Sequence, residues 1–145
     1  IKGDKSPLYY HLILGSMMLD RVGIVRSEKK MTITLDGISA LREEFWENLR
    51  VPDGMGLNKY LEMAGQVADF LDLAELMTRD ALERKESCGC HFREEYKTPE
   101  GEARRDDVNF SHVSCWEYQG ESTPAVMHKE PLTYESVKVT ERSYK

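Results

Sequence analysis

Nowhere in these 145 residues is there an apolar run approaching the roughly 20 residues that a membrane-spanning helix needs. Also missing is a basic stretch followed by a short apolar segment at the start, so no secretory leader is visible, and Ile1 in first place suggests that the true N-terminus lies elsewhere. Cysteine is scarce: Cys88, Cys90 and Cys115 are an odd number, which argues against a disulfide framework and for reduced thiols in a reducing compartment. Basic residues are outnumbered, 20 against 26 acidic ones, and form no clustered face, so a nucleic-acid backbone is not an expected partner. There is no G-x-G-x-x-G either. Gly54-Met55-Gly56 precedes a helical pattern but follows no predicted strand and lacks the third glycine, so no dinucleotide is assigned to this chain. What is present is 40% hydrophobic content in a chain the size of one domain, enough to bury a core.

Ser6-Pro7 is a good N-cap and first-turn pair, and Leu8, Leu12, Gly15, Leu19 and Val22 follow at helical spacing, predicting a first helix from Pro7 to about Arg26. After the charged link 27–30, Leu35, Ile38, Leu41, Phe45 and Leu49 mark a second amphipathic stripe, ended by Pro52-Asp53-Gly54. From Leu57 to about Lys85, Tyr60, Ala64, Val67, Leu71, Ala74 and Ala81 keep a heptad-like spacing broken at Thr78. That third helix is the longest, roughly 40 Å at 1.5 Å per residue, and both earlier helices can pack along it. The expected fold is therefore mainly α: an antiparallel three-helix bundle over residues 1–87, then a loop and extended tail over residues 88–145. Short strands are expected at Ser111–Tyr118, Ala125–His128 and Val137–Thr140. The tail has too little apolar surface to fold alone and should lie against the bundle or another surface.

The densest cluster of chemistry runs from Glu86 to Glu95, at the C-terminal end of the long helix, where last-turn carbonyls lack partners. Arg84 and Lys85 suit the helix dipole, Gly89 can supply a left-handed C-cap, and Arg93 can pair with a carboxylate. Cys88, Cys90, His91, His112 and Cys115 offer zinc donors, but one residue between the thiols is not the usual C-x₂₋₄-C spacing, and no metal is assigned. A Cys90–His91 nucleophile pair is disfavoured because sequence neighbours point in different directions. Arg104-Arg105-Asp106-Asp107 offers both signs of charge for surface ion pairing. Met17, Met18, Met63 and Met77 fall on helices and read as core filler.

Four segments, in order, resemble the flavoprotein subunits of succinate dehydrogenase and fumarate reductase. Ile38-Ser39-Ala40-Leu41-Arg42-Glu43-Glu44-Phe45-Trp46 resembles the second helix of that family's C-terminal region. Leu71–Met77 with Ala81-Leu82-Glu83-Arg84-Lys85-Glu86-Ser87 resembles the helix leading into its ESRGAHxRED motif. Arg105-Asp106-Asp107-Val108-Asn109-Phe110 resembles the segment that follows, and Val137–Tyr144 the terminal stretch. The likeness spans nearly the whole chain. It departs from the family at two motif positions, where Cys88 replaces arginine and Cys90 replaces alanine, while His91, Arg93 and Glu94 match.

This resemblance implies the C-terminal helical domain of a parent that interconverts succinate and fumarate by hydride transfer with FAD, the flavin and the catalytic residues lying upstream. It implies no catalytic, cofactor-binding or metal residue in this chain. It implies bracing contacts with the FAD-binding domain of the same polypeptide, for which Glu86, His91, Arg93, Arg105, Asp106 and Asp107 are the candidates. Through the parent it implies an iron–sulfur subunit, a membrane-anchor subunit, and a peripheral place on the cytoplasmic side of a bacterial inner membrane. L-Aspartate oxidase shares the plan but generally lacks a strand-like ending like that from Val108 onward. The reading from another class is a free-standing helical module that presents its long helix to a protein partner.

Overall fold

The structure, a computed structural model, describes residues 2–54, 56–120 and 123–140. Three helices form its body: α1 (Pro7–Val22), α2 (Glu28–Asn48) and α3 (Lys59–Glu83). Each starts on a side-chain cap. Ser6 Oγ accepts the Tyr9 N–H, Ser27 Oγ the Lys30 N–H, and Asn58 Oδ1 the N–H groups of Tyr60 and Leu61. Each cap stabilises its helix by about 1 kcal/mol.

The core explains the packing. Tyr10 near the start of α1 meets Phe45 near the end of α2 edge to face, with ring centroids 5.2 Å apart. Its hydroxyl donates to the Glu44 carbonyl at 3.1 Å. Leu14, Ile38, Leu41, Val67 and Leu71 continue that cluster, and Val22, Met31 and Ala81 close a smaller one at the other end. Tyr10 pairs with the end of α2 and Val22 with its start, so α2 runs antiparallel to α1. By the same reasoning it is antiparallel to α3, so α1 and α3 run in the same direction. Thr78, which interrupts the apolar heptad, is fully buried, and its hydroxyl is satisfied by donating to the Ala74 carbonyl at 2.7 Å.

Several expectations are corrected. The first helix stops at Val22 rather than near Arg26, and Val25–Arg26 is instead a short strand, β1. The buried face of α1 is Pro7, Tyr10, Leu14 and Val22, whereas Leu8, Leu12 and Leu19 of the expected stripe are exposed. The charged link 27–30 is the cap and first turn of α2. β1 pairs in parallel with β2 (Phe92–Arg93), a strand that sequence periodicity did not predict. After the one-turn helix α4 (Asp107–Phe110), β3 (His112–Glu117) and β4 (Val126–Pro131) form an antiparallel hairpin. Trp116 Nε1 in β3 donates to Asp80 of α3 at 2.9 Å and holds the hairpin on the bundle. Val137–Thr140 forms no strand among the described residues, and residues 141–144 of the expected terminal match lie outside them.

Candidate functional site

Because α1 and α3 run one way and α2 the other, one end of the bundle gathers two helix C-termini and one N-terminus. Unpaired carbonyls make the first two negative, and unpaired N–H groups make the third positive. The segment around β1 and β2 supplies the opposite charge at each.

At the α1 terminus, Arg26 Nε donates to the carbonyls of Val22 and Gly23 at 3.1 and 2.7 Å. At the α3 terminus, Arg93, only 1% exposed, donates from Nη1 to the carbonyls of Ala81, Leu82 and Arg84 at 3.1, 3.2 and 3.4 Å. At the α2 start, Glu95 Oε1 accepts the Glu28 N–H at 2.7 Å, while its other oxygen takes the Arg93 Nε–H at 3.0 Å. Burial would raise the Glu95 carboxyl, but the backbone donors and Arg93 outweigh it and hold it below the ordinary carboxylate value. The β1–β2 ladder places these groups, with Phe92 N–H on the Ile24 carbonyl at 3.1 Å and Glu94 N–H on that of Arg26 at 2.9 Å.

His91 sits between the capped ends. Its Nε2 is 3.0 Å from the Arg84 carbonyl, which can only accept, so Nε2 carries the proton and Nδ1 accepts from Arg26 Nη1 at 2.7 Å. Burial pushes the imidazole pKa down, and Arg26, Arg93 and Arg84 nearby push the same way against the carbonyl bond. The ring is thus held neutral. With both nitrogens engaged it is not available as a ligand, and among the described residues no three His, Cys, Asp or Glu side chains converge as a metal site.

Glu86, only 3% exposed, links this end to the tail. One carboxylate oxygen takes Arg84 Nη1 at 2.7 Å and the other the Asp106 N–H at 2.8 Å. Arg84 also donates to the carbonyls of Phe110 and His112 at 3.1 and 2.9 Å, so it serves the tail, not the helix dipole as its sequence position suggested. Ser87 locks β2, with its hydroxyl accepting the Arg93 N–H at 2.8 Å. Gly89 does adopt φ +58°, but in the tight turn Cys88–His91 beyond the helix, not at its C-cap, which is Arg84.

The six candidate residues therefore divide. Glu86, His91 and Arg93 are buried within this chain. Arg105, Asp106 and Asp107 lie half-buried beside them: Arg105 Nε donates to Asp107 at 3.0 Å, its Nη1 to the Thr140 carbonyl at 3.1 Å, and Asp106 caps α4. The Asp107 hydrogen bond raises the Arg105 guanidinium further above its ordinary value. An open cleft of about 450 Å³ adjoins them, lined by Lys85, Tyr96 and Arg104 among others. Sequence reasoning missed Arg26 and Glu95, although a lone arginine four residues past a helix end and an acid two residues beyond Arg93 were the signals available.

Fold and site together define a mainly α module whose three helix ends are neutralised and tied by one strand-borne cluster. The chain belongs to the succinate dehydrogenase and fumarate reductase flavoprotein family: residues 11–144 match the family described as "Fumarate reductase flavoprotein C-term". It is 34% identical over 128 residues to the fumarate reductase flavoprotein subunit of a Serratia species, covering 88% of this chain and 20% of that one. It is 33% identical over 140 residues to that of Proteus vulgaris, covering 96% and 22%. A quinol–fumarate reductase solved with menaquinol superimposes with a TM-score of 0.77 at 26% identity, over 94% of this chain and 23% of that one. The chain thus spans about a fifth of the length of the curated relatives it matches.

Proposed function

We propose that this chain is the C-terminal bracing domain of an FAD-dependent flavoprotein that interconverts succinate and fumarate and passes electrons to an iron–sulfur subunit. The observation that carries the reading is the family match over residues 11–144. The cofactor belongs elsewhere in the parent. The guanidiniums of Arg26, Arg84 and Arg93 are committed to this chain's own carbonyls and carboxylates, so they offer no cradle for a flavin pyrophosphate. Among the described residues no helix is long and apolar enough to cross a membrane, which suits peripheral attachment through an anchor subunit on the cytoplasmic face of a bacterial inner membrane.

In this reading the six candidates brace the FAD-binding domain in two ways. Buried Glu86, His91 and Arg93 fix the shape of the capped end, and Arg105, Asp106 and Asp107 form its accessible rim. The test is the full polypeptide purified with its flavin and assayed for fumarate reduction and succinate oxidation. Arg93→Ala should lower both flavin retention and thermal midpoint. If neither changes, the bracing role is lost, whereas a full polypeptide without flavin or either activity removes the functional reading itself.

A further inference from the structure

The four residues Cys88-Gly89-Cys90-His91 reverse the chain directly after the buried Ser87. The Cys88 N–H donates to the His91 carbonyl at 2.9 Å, and the His91 N–H donates back to the Cys88 carbonyl at 3.0 Å. Gly89 supplies the positive φ of +58° that the reversal needs. The base of the turn is held firmly. Ser87 N–H donates to the Arg104 carbonyl at 2.9 Å, and the Ser87 hydroxyl bonds both the N–H and the carbonyl of Arg93. Cys88 and Cys90 are both exposed and both free thiols. They are also the two positions at which the chain departs from the motif it resembles, so the pair belongs to this sequence and not to that motif.

The spacing suits a bond between the two sulfurs. Two peptide units span at most about 7 Å when fully extended, and a hydrogen-bonded turn is shorter, within the roughly 4.4–6.8 Å between Cα atoms that a disulfide needs. A ring closed over one residue is strained, and strained bridges are the readily reduced, reversible ones. Guanidiniums flank the turn. Cys88 lines an open cleft of about 370 Å³ together with Arg26 and Arg84. Arg26 hydrogen-bonds only to neutral groups, the Val22 and Gly23 carbonyls and His91 Nδ1, so its charge remains to attract an anion. Burial lowers the Arg26 pKa, and of the charges opposing that shift Cys90 acts ahead of Asp80, which places its sulfur beside the guanidinium. On the other side the Asp107 hydrogen bond raises Arg105, and Cys88 adds to it.

We propose that Cys88 and Cys90 form a dithiol site that reacts with acidic low-molecular-weight disulfides and closes reversibly to a bridge between them. One cysteine thiolate attacks a sulfur of the incoming disulfide, forming a mixed disulfide and expelling the other half as a thiolate. The second cysteine attacks the protein sulfur of that mixed disulfide, expels the remaining half and closes the bridge. Two electrons pass from the cysteine pair to the incoming disulfide, and the two protons the cysteines give up end on the two thiols released. The inference rests on this chain alone and not on the functional reading above. Cys115, exposed on β3 opposite His128, has no neighbouring cysteine in sequence and is the internal control.

Peptide mass mapping of the full polypeptide after incubation with oxidised glutathione tests the site. The tryptic peptide 86–93 should lose two hydrogens, refuse alkylation and be restored by dithiothreitol, while Cys115 stays open to alkylation or carries glutathione. A peptide 86–93 that is still alkylated, or that carries two glutathiones, overturns the proposal. Cys88→Ser and Cys90→Ser should each let a glutathione adduct accumulate on the remaining thiol, several-fold above its level in the native sequence. An equal level means that the two thiols act separately and overturns it too. At low salt, oxidised glutathione, which is net negative, should close the bridge several-fold faster than the net positive disulfide cystamine, and an equal or reversed order overturns the preference for acidic disulfides.

Discussion

At the scale of single residues, Arg93 does the most. A planar fork donating to three carbonyls and one carboxylate cannot be imitated by an ammonium, so Arg93→Lys should keep the charge and still fail the cap. Its removal leaves those carbonyls without their donor, and Arg93→Ala should cost about 3 kcal/mol, read from urea unfolding of the full polypeptide. His91 gives a prediction with a sign. Its folded pKa lies below the unfolded value of about 6.5, so the unfolded chain takes up the proton first as pH falls. Its contribution is complete above about pH 6.5 and is lost as pH drops toward the lowered folded value. The charges acting on it are Arg26 from β1, Arg84 at the C-cap of α3, and Arg93 from β2. Thermal midpoints between pH 7 and 5 should fall more steeply for the native sequence than for His91→Asn, and parallel curves would remove this assignment. The motif pattern singled out Arg93 and His91, but it could not show that both point inward, because pattern carries residue type and not direction.

Elements were legible in proportion to their length. The long third helix was read to within two residues at each end, since its repeat runs over seven turns and Asn58 and Glu83 bound it. The end of α1 was overrun because the stop signal of Gly23, its C-cap, was not used, and the strand that follows is defined by pairing with a segment 67 positions away. Two-residue strands have no periodicity to read. The stripe Leu8-Leu12-Gly15-Leu19 was read as periodic, correctly, and given to the wrong face, because α1 has two. Caps supply a clean test at this scale: Asn58→Ala removes the acceptor for two N–H groups and a 2.8 Å bond to the Pro52 carbonyl, and should cost about 1 kcal/mol in unfolding. A second test lies at Gly3, whose amide bonds the Leu49 carbonyl at 3.0 Å. Any Cβ there would collide with the backbone of Asn48, so Gly3→Ala should detach the N-terminal segment from the end of α2, seen as faster exchange of the Arg50 amide.

Across the whole molecule, the parallel pair Val25↔Phe92 joins the first turn of the chain to the segment beyond α3. Contacts of such separation form after the local helices, because loop-closure entropy opposes them until the bundle has brought their ends together. The Phe92 and Glu94 amides should therefore exchange with solvent hydrogen faster than the amides of Leu41 and Leu71 in the core, and a uniform rate would argue for one cooperative unit. The far end of the bundle differs, since Pro52, Asp53, Gly54, Gly56 and Leu57 are all exposed in the connection from α2 to α3. A protease that cut there would sever the polypeptide without freeing its pieces: the first two helices would stay fastened to the third through Arg26, His91, Arg93 and Glu95. Two such halves, synthesised separately, should find each other and complement.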